Sequence, residues 1–328
     1  MSDPDPVPTL RAKARELLEQ GTVRAVVGYQ SHAESGLPVP AVITRPDQAE
    51  ALVFNPLCAH NLSRYVQGGA EKPVAVVAKA CDTRALVVMM QESHIRREDV
   101  FVIAMGCTGI VDAARIDERA RAPWRRIEAI RTDGDAVAVE TDAGVARLSL
   151  TEDLLPRCVA CPVPQPVIDD VRLGDFPEAP PGRPDPLAAQ VAEIEAMGRD
   201  ERRRFFSETY NRCIRCYACR NVCPLCFCEK CFADETRPQW VPRSTLGGGN
   251  ELYHMVRAMH LAGRCIGCGA CERACPVGLP LMAVNTKMAQ VVDGMFGHVA
   301  GVRMDDTPPF AVYRDADPDL PGHGGGKS

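Results

Sequence analysis

One cysteine spacing occurs twice in this chain: Cys213-x2-Cys216-x2-Cys219-x3-Cys223-Pro224 and Cys265-x2-Cys268-x2-Cys271-x3-Cys275-Pro276. Three thiolates on a tight loop, trailed by a Cys-Pro step, form the ligand pattern of a protein with two 4Fe-4S clusters. In that pattern the fourth cysteine of each run reaches across to the other cluster. It assigns Cys213, Cys216, Cys219 and Cys275 to one cluster, and Cys265, Cys268, Cys271 and Cys223 to the second. A pair of zinc sites is the alternative. Zinc takes four ligands, usually as two close pairs, and two triplets suit it poorly. The chemistry expected of clusters is one-electron transfer.

Of the sixteen cysteines, eight remain. Cys58, Cys81 and Cys107 each follow an expected strand, ending near Phe54, Ala78 and Ala104. Ligands of an open α/β sheet bind at the carboxyl ends of its strands, so these three are expected to face one crevice. Cys158-x2-Cys161-Pro162 adds a close pair. Two readings of Cys81, Cys107, Cys158 and Cys161 stay open: a third 4Fe-4S cluster, or buried thiols acting as small hydrophobes. Cys226-x-Cys228-x2-Cys231 lacks one ligand, and Cys58 is the cysteine left over. A further cluster, a zinc ion or free thiols facing a partner are the readings of that set.

Arg212, Arg215 and Arg220 interleave with the first run, and Arg264, Glu272 and Arg273 with the second. Positive charge near a cluster favours its reduced form; a solvated or partner-facing surface explains the same residues. Gly267 and Gly269 allow close backbone approach in the second loop. The seven histidines show no paired metal spacing, and His254 and His260, six apart on one helical stretch, do not share a face. No nucleophile-base arrangement and no phosphate loop is present, so no catalytic residue is assigned.

The elements that must carry these residues read as two kinds. Pro8–Gly21 has a helical stripe of Leu10, Ala14, Leu17 and Leu18 with Gly21 as its stop. Val23–Val27, Ala41–Thr44, Ala51–Phe54, Val74–Ala78 and Val100–Ala104 read as buried strands, with helices over Asn61–Gln67 and Asp82–Gln91. The alternation predicts an α/β domain with a mostly parallel sheet. A hairpin follows, Ala136–Glu140 and Val145–Leu150. Pro and Gly gather between Pro162 and Pro186, and from Leu187 the pattern is helical. The 41 residues between Cys223 and Cys265, with their helical flanks, favour an α-helical two-cluster ferredoxin domain over a compact β-containing one. The expected organisation is an α/β domain over 1–175, a Pro-rich linker over 176–200, a dicluster ferredoxin domain over 201–300, and a partly disordered tail over 301–328.

The chain has 328 residues, enough for two domains, and a net charge of −5 that disfavours a nucleic-acid partner. Its N-terminus lacks a basic and an apolar region, and its longest apolar run, Val100–Val111, is too short to span a bilayer. A soluble, cytoplasmic protein with metal-bound thiolates is expected.

Val74-Ala-Val-Val-Ala-Lys-Ala-Cys81-Asp-Thr-Arg-Ala-Leu and Asp99-Val-Phe-Val-Ile-Ala-Met-Gly-Cys107-Thr-Gly resemble the core of the coenzyme F(420)-reducing hydrogenase and dehydrogenase beta subunits. Arg157-Cys158-Val-Ala-Cys161-Pro, continuing to Gly174, is similar to that family's later Cys-x-x-Cys segment. The C-terminal part resembles helical ferredoxin modules of formate dehydrogenases, hydrogenases and heterodisulfide reductases. The resemblance implies an iron-sulfur electron-transfer subunit of a multi-subunit oxidoreductase, with FAD often present and a flavoprotein or catalytic subunit as partner. It carries Cys81, Cys107, Cys158 and Cys161 over as cluster ligands. Lys79, Thr83, Arg84, Thr108 and Gly109 border the same crevice as candidate flavin contacts, although ordinary loop and cap chemistry explains each equally well. Two other functions stay open: a FAD-containing reductase acting on a soluble carrier such as a deazaflavin, and a zinc-binding interaction module without redox function.

Overall fold

The computed structural model describes residues 5–66, 73–178, 182–245 and 248–312. The segment Pro321–Ser328, expected to be disordered, lies outside the described residues.

The chain opens with α1 (Val7–Glu19), which buries Leu10, Ala14 and Leu17 along one stripe. It stops at Gly21, whose φ of +63° lets its N–H return to the Leu18 carbonyl at 3.1 Å. The apolar runs then become β1 (Ala25–Ser31), β2 (Pro38–Ile43), β3 (Leu52–Val53), β4 (Val74–Ala78) and β5 (Val100–Met105). Every residue of β4 is buried, as a run covered on both faces requires. With the late strand β9 (Val171–Leu173), these form a sheet of order β2-β1-β4-β5-β9, and β3 pairs with β1 beside that path. Pairing is parallel from β1 through β9 and antiparallel where β2 and β3 meet β1. The sheet is mostly parallel, with antiparallel strands on one flank.

Between β4 and β5 runs α2 (Ala80–Gln91), buried from Ala85 to Met89. Asp82 closes its first turn by accepting the Lys79 N–H at 2.7 Å, and it also holds the Leu62 N–H at 2.8 Å. The helix expected over Asn61–Gln67 is a 3-10 turn, Leu62–Tyr65, started by the Asn61 side chain. Gln67 lies outside the described residues.

A separate antiparallel sheet joins β6 (Ile127–Asp133), β7 (Ala136–Thr141) and β8 (Gly144–Ser149). Only its β7–β8 hairpin was legible in sequence; β6 buries a single residue, Ile127, and so shows no alternation. Helix α3 (Arg115–Ala120) packs on β8, and the short α4 (Pro156–Val159) carries Cys158.

The remainder is helical: α5 (Pro186–Ala196), α6 (Arg199–Asn211), α7 (Ala218–Asn221), α8 (Gly249–His260), α9 (Ala270–Arg273) and α10 (Leu281–Phe296). Residues 186–196, inside the segment expected as a linker, are the packed helix α5. Asp185 caps it through the Leu187 N–H at 2.9 Å, and Leu187, Val191 and Ile194 turn inward against α10. Pro186 marks its start, a position where proline costs no hydrogen bond.

The two halves are locked together. The Arg84 guanidinium on α2 donates to the Ala300 carbonyl at 2.7 and 3.2 Å and to the Ile266 carbonyl at 3.2 Å. Gly301 lies so close beneath that a Cβ there would stand 2.2 Å from the Arg84 carbonyl. Arg264 pairs with Glu92, and Arg273 donates to the Ala59 carbonyl at 2.8 Å. The largest hydrophobic core runs through this seam, joining Leu225, Leu261 and Ile266 to the sheet. Among the described residues no helix is long and apolar enough to cross a membrane.

Candidate iron-sulfur centres

The two cysteine loops share one backbone shape. In each, the second and fourth residues after the first cysteine are left-handed: Arg215 and Tyr217 at φ of 53° and 58°, Gly267 and Gly269 at 72° and 70°. This twist turns backbone N–H groups inward onto sulfur. Arg215 N donates to Cys213 Sγ at 3.4 Å, and Leu279 N to Cys275 Sγ at 3.3 Å. Gly267 and Ala270 donate likewise to the thiolates of Cys265 and Cys268. Donors clustered on sulfur suit an anionic centre and stabilise its more negative state.

The last cysteine of each run lies near the thiols of the other. Cys213 has Cys219, Cys275 and Cys216 as electrostatic neighbours. Cys271 has Cys223, Cys265 and Cys268. Burial pushes the Cys265 thiol up to about 11, so that without metal it stays protonated at neutral pH and releases its proton when iron binds. Among the described residues no three His, Cys, Asp or Glu side chains converge closely enough for a single metal ion.

Of the arginines singled out by sequence, several have their charge engaged elsewhere. Arg215 donates through Nε to Asn250 Oδ1 at 2.8 Å and also binds the Pro242 and Ser244 carbonyls. Arg220 pairs with Asp234 at 2.7 Å. A buried cation among the thiols that sequence reading missed is Arg257 of α8, 5% exposed. Its Nη2 donates to the Cys219 carbonyl at 3.0 Å, and it neighbours Cys219, Cys223, Cys226 and Cys271, thus both sets. Its Nε has no hydrogen-bond partner among the described residues. Arg257, Tyr253 and His254 all lie on α8, and the Tyr253 hydroxyl stands 3.6 Å from Cys219 Sγ. The helical spacing of Tyr253 and Arg257 was the available signal.

At the carboxyl ends of β4 and β5 lies a cleft of about 220 Å³ lined by Cys81, Cys107, Cys158 and Cys161, and also by Cys268 of the second ferredoxin loop. The Gly109 N–H donates to Cys107 and the Ile110 N–H to Cys158. Gly109 has φ of +122°, and a Cβ on it would strike Leu154 at 2.6 Å. Burial raises the Cys107 thiol to about 12. Arg157 leans on Gly267, its Cζ 3.1 Å from where a Cβ would sit, so the Cys158 segment touches the second loop.

The candidate flavin contacts divide. Lys79, Arg84, Thr108 and Gly109 line the cleft, and Thr83 does not. The Thr83 hydroxyl donates to the Ala80 carbonyl at 2.9 Å and accepts the Val167 N–H at 3.1 Å, which fixes the helix and the Cys161-to-β9 loop. Lys79 Nζ is buried on the Tyr29 hydroxyl, the His60 carbonyl at 2.9 Å and Asp82 at 3.0 Å.

Cys58 does not face the cleft with Cys81 and Cys107, nor does it join Cys226, Cys228 and Cys231. It is fully buried in the core, its sulfur accepting the Asn55 N–H at 3.4 Å, and burial raises its thiol to about 12. The strand before it is two residues long, and the turn that follows carries the side chain inward. Cys226, Cys228 and Cys231 share a different cavity, beside α8. Cys226 is paired with the Cys223 thiol, and that pairing, with Arg257 nearby, lowers its pKa.

Residues 209–279 match the 4Fe-4S dicluster domain. Nearly the full chain aligns with the F420-dependent formate dehydrogenase subunit beta of Methanocaldococcus jannaschii, 23% identical over 91% of this chain and 92% of the relative. The subunit beta of F420-dependent formate dehydrogenase 1 of Methanococcus maripaludis is also 23% identical, over 89% and 90%. Among solved structures, a chain of the F420-reducing [NiFe] hydrogenase complex from Methanosarcina barkeri matches with a TM-score of 0.38 and 14% identity, over 63% of this chain and 86% of that one. The protein thus carries a 4Fe-4S dicluster domain at 209–279 within a chain that is similar, across both of its halves, to formate dehydrogenase beta subunits.

Proposed function

We propose that this protein is the iron-sulfur electron-transfer subunit of a multi-subunit oxidoreductase of the formate dehydrogenase type, working beside a separate catalytic subunit. The observation that carries this reading is the proximity of Cys275 to Cys213 and of Cys223 to Cys271 in two N–H-lined loops, with Cys268 of the second loop also walling the strand-end cleft. Cys213, Cys216, Cys219 and Cys275 hold one 4Fe-4S cluster, and Cys265, Cys268, Cys271 and Cys223 hold the second. Cys81, Cys107, Cys158 and Cys161 hold a third in the cleft. A bound cluster supplies one-electron capacity with little change of shape, and the chain's work is placement and tuning. The N–H groups fix the thiolates, Arg257 sets charge between the two ferredoxin sets, and the seam of Arg84 and Gly301 keeps the cleft against the second loop.

The order of the sets gives a route: cleft, then the Cys268 set, then the Cys213 set, then surface. Cys216 is exposed and lies beside Ile214, itself 58% exposed, which makes that edge the exchange point with the partner subunit. Cys216→Ser is expected to disturb one ferredoxin cluster and interrupt transfer to the partner. Unchanged iron content and unchanged coupled turnover in that variant would defeat the assignment. With Lys79, Thr83 and Arg84 hydrogen-bonded within the protein, the cleft favours a cluster. Acid-released FAD near one per chain would favour the reductase reading instead.

A further inference from the structure

We propose that Cys226, Cys228, Cys231 and His260 hold an additional 4Fe-4S cluster beside the ferredoxin pair. This rests on the electron-relay reading and adds a centre to it. The three cysteines and His260 line one cavity of about 240 Å³. His260 closes the set that the cysteine count left one short, in place of Cys58. It occupies the last position of α8, and its ring meets Phe232, the neighbour of Cys231, edge-on at 5.2 Å. Sequence could not join them, since about thirty residues and a loop intervene.

Two features of the cavity point to a cluster. First, the wall is cationic: Arg64, Arg220, Arg257 and Arg264 line it against Glu229 and Asp234. Three thiolates and an oxidised 4Fe-4S core carry a net negative charge that such a wall stabilises. Second, the buried Arg257 Nε, on the same wall, has no hydrogen-bond partner among the described residues. A cluster sulfide is an acceptor of the right charge. Cys226 neighbours Cys223 of the second ferredoxin run, so the new centre stands next to that set.

The test is iron, acid-labile sulfide and zinc per chain on full-length protein purified without oxygen, with pulsed EPR of the dithionite-reduced form. Cys228 and His260 are both exposed, so substitution there leaves the core intact. Cys228→Ser is expected to lower iron and sulfide by about four atoms each relative to wild type. Wild type is expected to show hyperfine coupling from a coordinated imidazole nitrogen. His260→Ala loses that coupling, and His260→Cys loses it while keeping the iron. Iron and sulfide unchanged in Cys228→Ser, zinc lost in their place, or a nitrogen coupling that survives His260→Ala would each overturn this site. Those outcomes leave the ferredoxin pair standing, whereas a wild-type chain without iron would overturn the relay reading as well.

Discussion

Arg257 is a buried cation with thiols of both ferredoxin runs as electrostatic neighbours, and its effect has a definite sign. A fixed positive charge stabilises the state with one more electron, so Arg257→Gln is expected to shift the midpoint potentials of both clusters to more negative values in an EPR-monitored redox titration. An unchanged pair of potentials would show that solvent already screens the charge. Gly267→Ala tests the loop twist. At φ of +72° an L side chain costs about 1–2 kcal/mol, and the added Cβ would press on Arg157 at 3.1 Å. A lower melting temperature and faster cluster loss are expected. Cys58 gives a pH dependence free of metal. Its thiol titrates at about 12 folded and near 9 unfolded, so the folded state keeps a proton that the unfolded chain loses. Stability therefore falls as pH rises above about 9, by about 1 kcal/mol per unit until the folded pKa is reached. Denaturant unfolding at pH 8 and 10 is expected to show a smaller drop for Cys58→Val than for wild type. The paired cysteine runs were legible because their spacing is itself the signal. Arg257 was missed because its one signal was a helical spacing from Tyr253, and His260 because a lone imidazole carries none.

At the scale of elements, apolar runs of four or five residues marked β4 and β5 closely, because strands buried on both faces need no alternation. Cys81 and Cys107 were placed correctly in one cleft from the strand-end rule alone. Cys58 failed the same rule because β3 runs antiparallel to β1, and so to β4 and β5, and its end does not share their carboxyl edge. Helix α5 was hidden by the prolines before it, one of which begins it. Helix α2 carries the Arg84 clamp as well as Cys81. Arg84→Met leaves the Ala300 and Ile266 carbonyls without their donor and is expected to destabilise the fold by about 2–4 kcal/mol, read as a lower melting temperature. A melting curve that resolves into two transitions would add that the halves part before they unfold.

For the whole molecule, the seam between the α/β half and the helical half brings the cleft and the second ferredoxin loop together, with Cys268 as a shared wall. Sequence presented these as two domains with a spacer. It could not show the seam, which rests on contacts between residues about two hundred positions apart, such as Arg84 with Ala300. Similarity to formate dehydrogenase beta subunits across both halves fits a unit inherited whole. Cys158→Ala is the variant that tests the join, with iron expected below wild type while the ferredoxin signals persist.

The most direct measurement is the dithionite-reduced EPR spectrum of oxygen-free protein, taken together with its iron and acid-labile sulfide content. Brown protein with at least about eight irons and eight sulfides per chain is expected, giving fast-relaxing signals split by magnetic interaction between neighbouring clusters. Colourless protein lacking sulfide, or holding zinc in place of iron, would contradict it.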